Sequence, residues 1–208
     1  TRFACYSLPE SPLNRWAQER EGAFLRLSNG LHLPGQVHRG LATSAPTWNS
    51  AAHQLMDWLE SLPKPIGVIA VTDARARQVM QACIMADIPV PEEVAIVGID
   101  NDTLGQQLTR IPLSSVSQGT HEMGRVAAHW MHQMLGGALV QAGHVVVRPA
   151  GIQRRESSRR EVPHGLSQGT RPLGARRNHG LQVVARAGAA RGRPAPRVGS
   201  GAASRFRD

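Results

Sequence analysis

The chain has 208 residues, enough for one good-sized domain or two small ones, and a formal net charge of +9 with a pI near 11.3. That charge is local: residues 159–208 hold eleven of the 24 Lys and Arg but only Glu161 and Asp208 of the 15 Asp and Glu, so residues 1–158 are neutral on balance. A basic folded body suited to nucleic acid is thereby excluded, because the whole basic signature lies in the last 50 residues. The two cysteines, Cys5 and Cys83, form no C-x-x-C, no zinc spacing and no disulfide framework, and suit a reducing cytoplasmic setting. No apolar run approaches the roughly 18–20 residues that cross a bilayer, so no membrane partner is expected. The chain begins at Thr1, without methionine and at the mouth of a strand, so the lack of a signal peptide carries no information.

Up to residue 158, short apolar runs alternate with amphipathic stretches. Phe3–Leu8 reads as a strand; Ser11-Pro12 then supplies an N-cap and a first helical position for a helix to about Leu27, with Asn29-Gly30 as its stop. A short strand is expected over Gln36–Leu41. The next helix spans about Thr47–Leu62, its Ala51, Leu55, Trp58 and Leu59 spaced to form one buried stripe, with Pro63 beyond its end. Ile66–Val71 is a continuous apolar run, as expected of a strand covered on both faces. A helix from Ala74 to about Ala86 follows, then a buried strand over Val94–Ile99 and a shorter one over Leu113–Val116. The last helix covers about His121–Leu135 before Gly136-Gly137, and Val145–Val147 reads as the last strand. This alternation predicts an α/β fold with a doubly wound parallel sheet and helices on both faces.

At about Ser158 the composition changes. Residues 159–208 lack Ile, Met, Trp, Tyr, Cys and Lys, and no helical or strand period survives beyond Leu181–Ala185. Such a segment buries too little apolar surface to offset its ordering entropy, and a disordered basic tail is expected there.

In open α/β sheets ligands bind beyond the carboxyl ends of the strands, so the residues after each apolar run are the place to look for chemistry. Thr72-Asp73 follows the run at 66–71, Asp100-Asn101-Asp102 follows 94–99, and Ser117-Gln118 follows 113–116; Arg20 lies on the first helix. A guanidinium, carboxylates, a hydroxyl and an amide are the groups that hold a polyhydroxylated ligand. Each has a plainer reading: Asp73 as a helix N-cap, Asp102 as a cap or turn residue, Arg20 as a solvated charge beside Glu19 and Glu21. The pattern gains force because it recurs at successive strand ends. The chain has no H-E-x-x-H, no G-x-S-x-G, no phosphate loop and no G-x-G-x-x-G after a strand, and its nine histidines lack ligand spacing. Trp58 and Trp130 fall on apolar helix faces and read as packing rather than sugar platforms. Nothing supports an enzyme, and no cofactor or metal is expected.

These residues carry a resemblance. The stretch from Ile66 to Gln118, with I-P-V-P-E-E-V-A-I-V-G-I-D-N and S-S-V-S-Q, resembles the effector-binding domain of lac-repressor-type transcription regulators. Tyr6-Ser7-Leu8-Pro9-Glu10-Ser11, Arg15-Trp16-Ala17, Glu19-Arg20-Glu21 and Ala70-Val71-Thr72-Asp73-Ala74-Arg75-Ala76-Arg77 are similar, more narrowly, to its xylose-responsive members. The resemblance covers about residues 3–157. It implies a two-lobed periplasmic-binding-protein-like fold with sugar between the lobes, of which residues 1–158 supply most of the C-terminal lobe. It also implies sugar-binding roles for Arg20, Thr72, Asp73, Asp100 and Gln118, with Thr72 standing where many relatives have Asn. The implied partners are a pentose effector, D-xylose first, and, in the intact regulator, operator DNA and a second copy in a homodimer.

Two departures from the family pattern matter. The N-terminal lobe lies outside this sequence, so the helix at 121–135, with Met123, Val126, Ala127, Trp130 and Met134, is expected to lose its cover. Residues 159–208 also show no helix-turn-helix where those members continue into an AraC-type DNA-binding domain. Arg/Gly/Ala/Pro-rich sequence without lysine is what GC-rich coding DNA gives in a wrong frame, and a frameshift in place of that domain is the expectation. The competing readings are a secreted sugar-binding protein of the same fold, and an arginine-rich arm that binds nucleic acid without specificity.

Overall fold

The computed structural model describes residues 2–33, 35–42, 44–137, 144–159 and 183–186. Its centre is a six-stranded sheet formed by β1 (Phe3–Ser7), β2 (Gly35–Arg39), β3 (Ile66–Ala70), β4 (Val94–Ile99), β5 (Ser114–Ser117) and β7 (Gly151–Gln153), in the order β2-β1-β3-β4-β5-β7. The first five strands are parallel, with Cys5 beside both Val37 and Ile69, and Val68 beside Ile96; β7 pairs antiparallel with β5. The order reverses between β1 and β3, the point at which open sheets of this type leave a crevice at their carboxyl ends.

The helices form where the sequence pattern places them. Ser11 accepts from the Leu13 amide at 3.3 Å and Pro12 opens a short 3-10 turn that runs into α1 (Arg15–Gly30). The helix continues through the expected Asn29-Gly30 stop and closes one residue later, the Leu31 amide bonding to the Leu27 carbonyl at 3.0 Å. α2 (Trp48–Ser61) buries Leu55 and Leu59, with Ala51 and Trp58 half-buried beside them. α3 (Asp73–Met85) buries Ala76, Val79, Met80, Ala82 and Cys83.

Two cores result. The larger joins α2 and α3 to one sheet face through Tyr6, Leu59, Val68, Val79, Val94 and Ile96; the smaller seats α1 on the other face through Cys5, Ala17, Phe24 and Val71. The expectation of strands covered on both faces holds on one face only. Ile66, Val68 and Ala70 are buried while Gly67 and Ile69 are half-buried, because α1 reaches no farther than the first strands. Cys5 and Cys83 are buried free thiols, each pushed up to about 12 by desolvation, and are therefore poor nucleophiles. Among the described residues no helix is long and apolar enough to cross a membrane.

α5 (Thr120–Leu135) forms as expected but buries no residue, and Met131, Met134 and Leu135 are exposed. Val145–Val147 forms a strand as expected, but it is neither the last strand nor part of the main sheet. It belongs to β6 (His144–Val147), which pairs with β8 (Val183–Arg186) in a separate two-stranded sheet, while the edge position next to β5 is taken by β7. Of the segment expected to be disordered, Val183–Arg186 forms this strand around a β-branched Val-Val pair, and Arg159 is also described. The remainder of that reading lies outside the described residues.

Leu59, with no exposed surface, and Leu135, with most of its side chain in solvent, provide a matched pair. Leu59→Ala is expected to lower unfolding free energy by about 2–5 kcal/mol in urea denaturation, and Leu135→Ala by about 0.5 kcal/mol or less.

Candidate functional site

The carboxyl ends of β3, β4 and β5 meet the first turns of α1, and three polar side chains converge there. Arg20 donates from Nη1 to the Val71 carbonyl just past β3, and from Nη2 to Gln118 Oε1 at 2.8 Å. Gln118 in turn donates from Nε2 to Asp100 Oδ1, and the Asp100 carboxylate lies 3.9 Å from Arg20 Nη1. The three side chains form a closed ring of contacts in which cation, amide and anion fix one another. Trp16, one helical turn before Arg20, lies under the guanidinium at 4.8 Å, a cation–π contact that further holds the fork.

Arg20 keeps 16% of its side chain exposed and Asp100 35%, so both retain contact with solvent. Burial pushes the Asp100 carboxyl above the ordinary aspartate range; Arg20 pulls it back and the neighbouring Asp73 adds to the rise. Burial likewise lowers the Arg20 guanidinium from its ordinary value, opposed by Asp100. The arrangement presents donors and acceptors to a neutral polar ligand with its own charges already paired.

The turn that carries Asp100 is unusual. Asp100 has φ 130° and Asn101 φ 54°, both in the region that side-chain-bearing residues rarely adopt. Each of its amides is tied down: Asp100 to the Val116 carbonyl at 3.0 Å, Asn101 to Ser115 Oγ at 2.9 Å, and Asp102 to Asp73 Oδ2 at 2.9 Å. Asp73 is 1% exposed, and its other oxygen accepts from the Ser115 hydroxyl at 2.6 Å. Gly98 makes room for it, since a Cβ there would collide with Asp73 Oδ1.

Of the five residues expected from sequence, the fold therefore brings together Arg20, Asp100 and Gln118. Thr72 is half-buried beside them and is the N-cap of α3, accepting from the Arg75 amide at 3.1 Å. Asp73 stands apart: its carboxylate is turned inward and both oxygens are taken by the protein. The cap is thus Thr72 rather than Asp73. Asp102 caps the one-turn helix α4 (Thr103–Gln106) through the Leu104 amide, which is its plainer reading.

Sequence reasoning missed Ser115, Trp16 and Arg155. The signal for Ser115 was present: consecutive serines inside a buried strand must find partners, and Ser114 and Ser115 are both fully buried. A concavity of about 720 Å³ lies elsewhere, between α2 and α3, lined by Trp48, Leu55, Met80, Met85 and Leu108 among others. Its walls are largely apolar, with Arg77 and Arg110 among the polar residues that line it.

Residues 1–158 match the model of the periplasmic binding protein-like domain. The chain belongs to that family. It is 45% identical over 157 residues to the xylose operon regulatory protein of Escherichia coli strain K12, an alignment covering 76% of this chain and 40% of that protein. The xylose operon regulatory protein of Haemophilus influenzae is 42% identical over 158 residues, 76% of this chain and 41% of its own length. A solved structure described as the xylose-binding transcription activator xylR superposes with a TM-score of 0.73 at 44% identity, covering 77% of this chain and 43% of that one. The chain thus spans about two-fifths of the length of these relatives, all of them regulatory proteins rather than enzymes by name.

Asp73→Asn replaces an acceptor with a donor at a site that offers only donors. It is expected to cost about 1–3 kcal/mol in urea unfolding, whereas the same change at exposed Asp57 costs about 0.5 kcal/mol or less.

Proposed function

We propose that residues 1–158 are the effector-binding lobe of a sugar-responsive transcription regulator, and that the effector is D-xylose. The observation that carries this reading is the convergence of Arg20, Gln118 and Asp100 at the strand ends beside the reversal in strand order. The identity to named xylose regulators supports the choice of sugar.

In this proposal Arg20 donates its planar fork to neighbouring sugar oxygens, Asp100 accepts from vicinal hydroxyls, and Gln118 does both. Thr72 contributes its hydroxyl at the margin. Asp73 acts indirectly, by holding the turn that aims Asp100. The role is recognition rather than catalysis, since the ring of contacts has its charges paired with one another and offers no free nucleophile or base. In the intact regulator a sugar bound between two lobes stabilises one arrangement of them and shifts the population toward it, which changes how operator DNA is held. A cytoplasmic location and a homodimer belong to the same proposal, and residues 159–208 stand outside the sensing lobe.

Titration of the 208-residue chain with D-xylose, followed by amide NMR, is expected to move the resonances of Arg20, Thr72, Asp100 and Gln118. The dissociation constant is expected to be millimolar or weaker, because a site open on one side makes only part of the hydrogen bonds of an enclosed one. Arg20→Ala should weaken binding about tenfold or more. A sub-millimolar constant would overturn the half-site reading, and shifts confined to other surfaces would overturn the site itself. Protonation removes Asp100 as an acceptor, so affinity is complete above its pKa and declines as pH falls through it. Because that pKa is raised, the decline should begin at a higher pH than an aspartate of about 3.9 would give.

A further inference from the structure

Beyond β7 the chain returns to the sheet and is fastened to it residue by residue. The Arg155 amide donates to Ser114 Oγ at 2.8 Å, and that hydroxyl donates to the Arg155 carbonyl at 2.9 Å. Fully buried Ser157 accepts from the Ser114 amide at 2.8 Å and donates to the Ile96 carbonyl at 2.7 Å, while its own amide bonds to the Pro112 carbonyl at 3.0 Å. Among the described residues the Arg155 guanidinium has no carboxylate within ion-pair distance. It donates instead from Nη1 to the Leu113 carbonyl at 2.7 Å and from Nη2 to Asn101 Oδ1 at 2.8 Å.

Asn101 is the second of the two left-handed residues in the turn that carries Asp100. A conformation of that kind persists only where its surroundings over-determine it. Ser115 holds the Asn101 amide from inside the sheet, and Arg155 holds its side chain from the returning segment. Of the groups that hold this turn, Arg155 alone belongs to the returning segment.

We propose that Arg155 is a positioning residue for the effector site: it clamps Asn101, keeps the adjacent Asp100 carboxylate aimed at Arg20 and Gln118, and couples sugar binding to the segment at 155–158. The inference depends on Asp100 being a sugar acceptor, as argued above. Coupling between two sites is reciprocal, so sugar bound at Asp100 steadies residues 155–158, and any displacement of those residues weakens sugar binding. The bond of Arg155 to the Leu113 carbonyl makes the clamp rigid, because a planar fork engaged at both tips has little freedom to follow Asn101 if the turn relaxes.

The test is amide hydrogen exchange on the full chain, comparing wild type with Arg155→Gln, Asn101→Gly and the double variant, each with and without D-xylose. Glycine is suited to the left-handed position, so Asn101→Gly removes the acceptor while preserving the turn. Without sugar, Arg155→Gln should speed exchange at Asn101 and Asp102 about tenfold or more, while amides of β1 and β3 keep their wild-type rates. The double variant should exchange no faster there than the faster single variant, as expected for two halves of one interaction. With sugar, the Ser157 amide should gain protection in wild type and lose that gain in Arg155→Gln. Unchanged exchange at 101–102, additive effects, or a rise spread evenly over all strands would overturn the clamp. Protection at Asp100 without protection at Ser157 would overturn the coupling. If D-xylose alters no amide while the variants behave as expected, the sugar assignment fails and the clamp stands.

Discussion

The Asp73 carboxylate is the constraint on which the geometry of the site depends. A carboxylate taken almost wholly out of water is costly unless its lone pairs are filled, and here they are filled by the Ser115 hydroxyl and the Asp102 amide. Its position in the first turn of α3 adds the favourable field of a helix N-terminus. One side chain thereby joins α3, β5 and the turn after β4. It holds the Asp102 amide inward, and shares with Ser115 and Arg155 the task of keeping the left-handed residues before it in place. Gly98 belongs to the same constraint, because only a residue without Cβ lets β4 pass beneath that carboxylate.

From this anchor outward the polar groups change character. Asp73, Ser114, Ser115 and Ser157 are buried and spend their hydrogen bonds on the protein. Asp100, Arg20 and Gln118 lie one layer farther out, bonded to one another but open on one side. An outer layer that is both aimed and accessible needs an inner layer that is neither. The cation–π contact with Trp16 and the bond to the Val71 carbonyl fix the guanidinium before any ligand arrives. The ordering cost of Arg20 is therefore met by folding rather than by binding.

The sheet was legible because its strands are short apolar runs bounded by turn signals. Val94–Ile99, between Pro91 and Asp100, matches the observed strand end to end. Helix α2 was legible because Leu55 and Leu59 recur on one face. What periodicity does not encode is pairing. Val145–Val147 has the composition of a strand, but its neighbour is chosen by residues distant in sequence, while Gly151–Gln153, with a single large apolar side chain, gains its place from the open edge of β5. The site shows the same limit. Asp73 and Asp100 both follow buried strands and look alike in sequence; one turns in and the other out because Gly98 and Ser115 make a pocket for the first. Arg20 was distinguishable from a solvated arginine only through the family resemblance, since the residues it meets are 51 and 98 positions away.

The site also lies where the chain crosses out of the sheet and back. Gln118 is followed by Gly119 at φ 74°, the residue before α5, and the returning chain passes close enough that a Cβ at Gly119 would stand 2.9 Å from the Arg148 carbonyl. The two crossings are tied together by the Ala150 amide and the Ser117 carbonyl at 2.8 Å. A side chain that touches ligand from one of two closely paired crossings senses any change in their angle. α5 lies directly beyond this pair and buries none of its residues. Gln118 on the outgoing crossing contacts Asp100, and Arg155 beyond the returning one contacts the adjacent Asn101, so the turn is held from both. On the proposed sugar-binding reading, a ligand held by Asp100 and Gln118 would favour one crossing angle over others, which is the physical requirement for a binding event to become a change of shape.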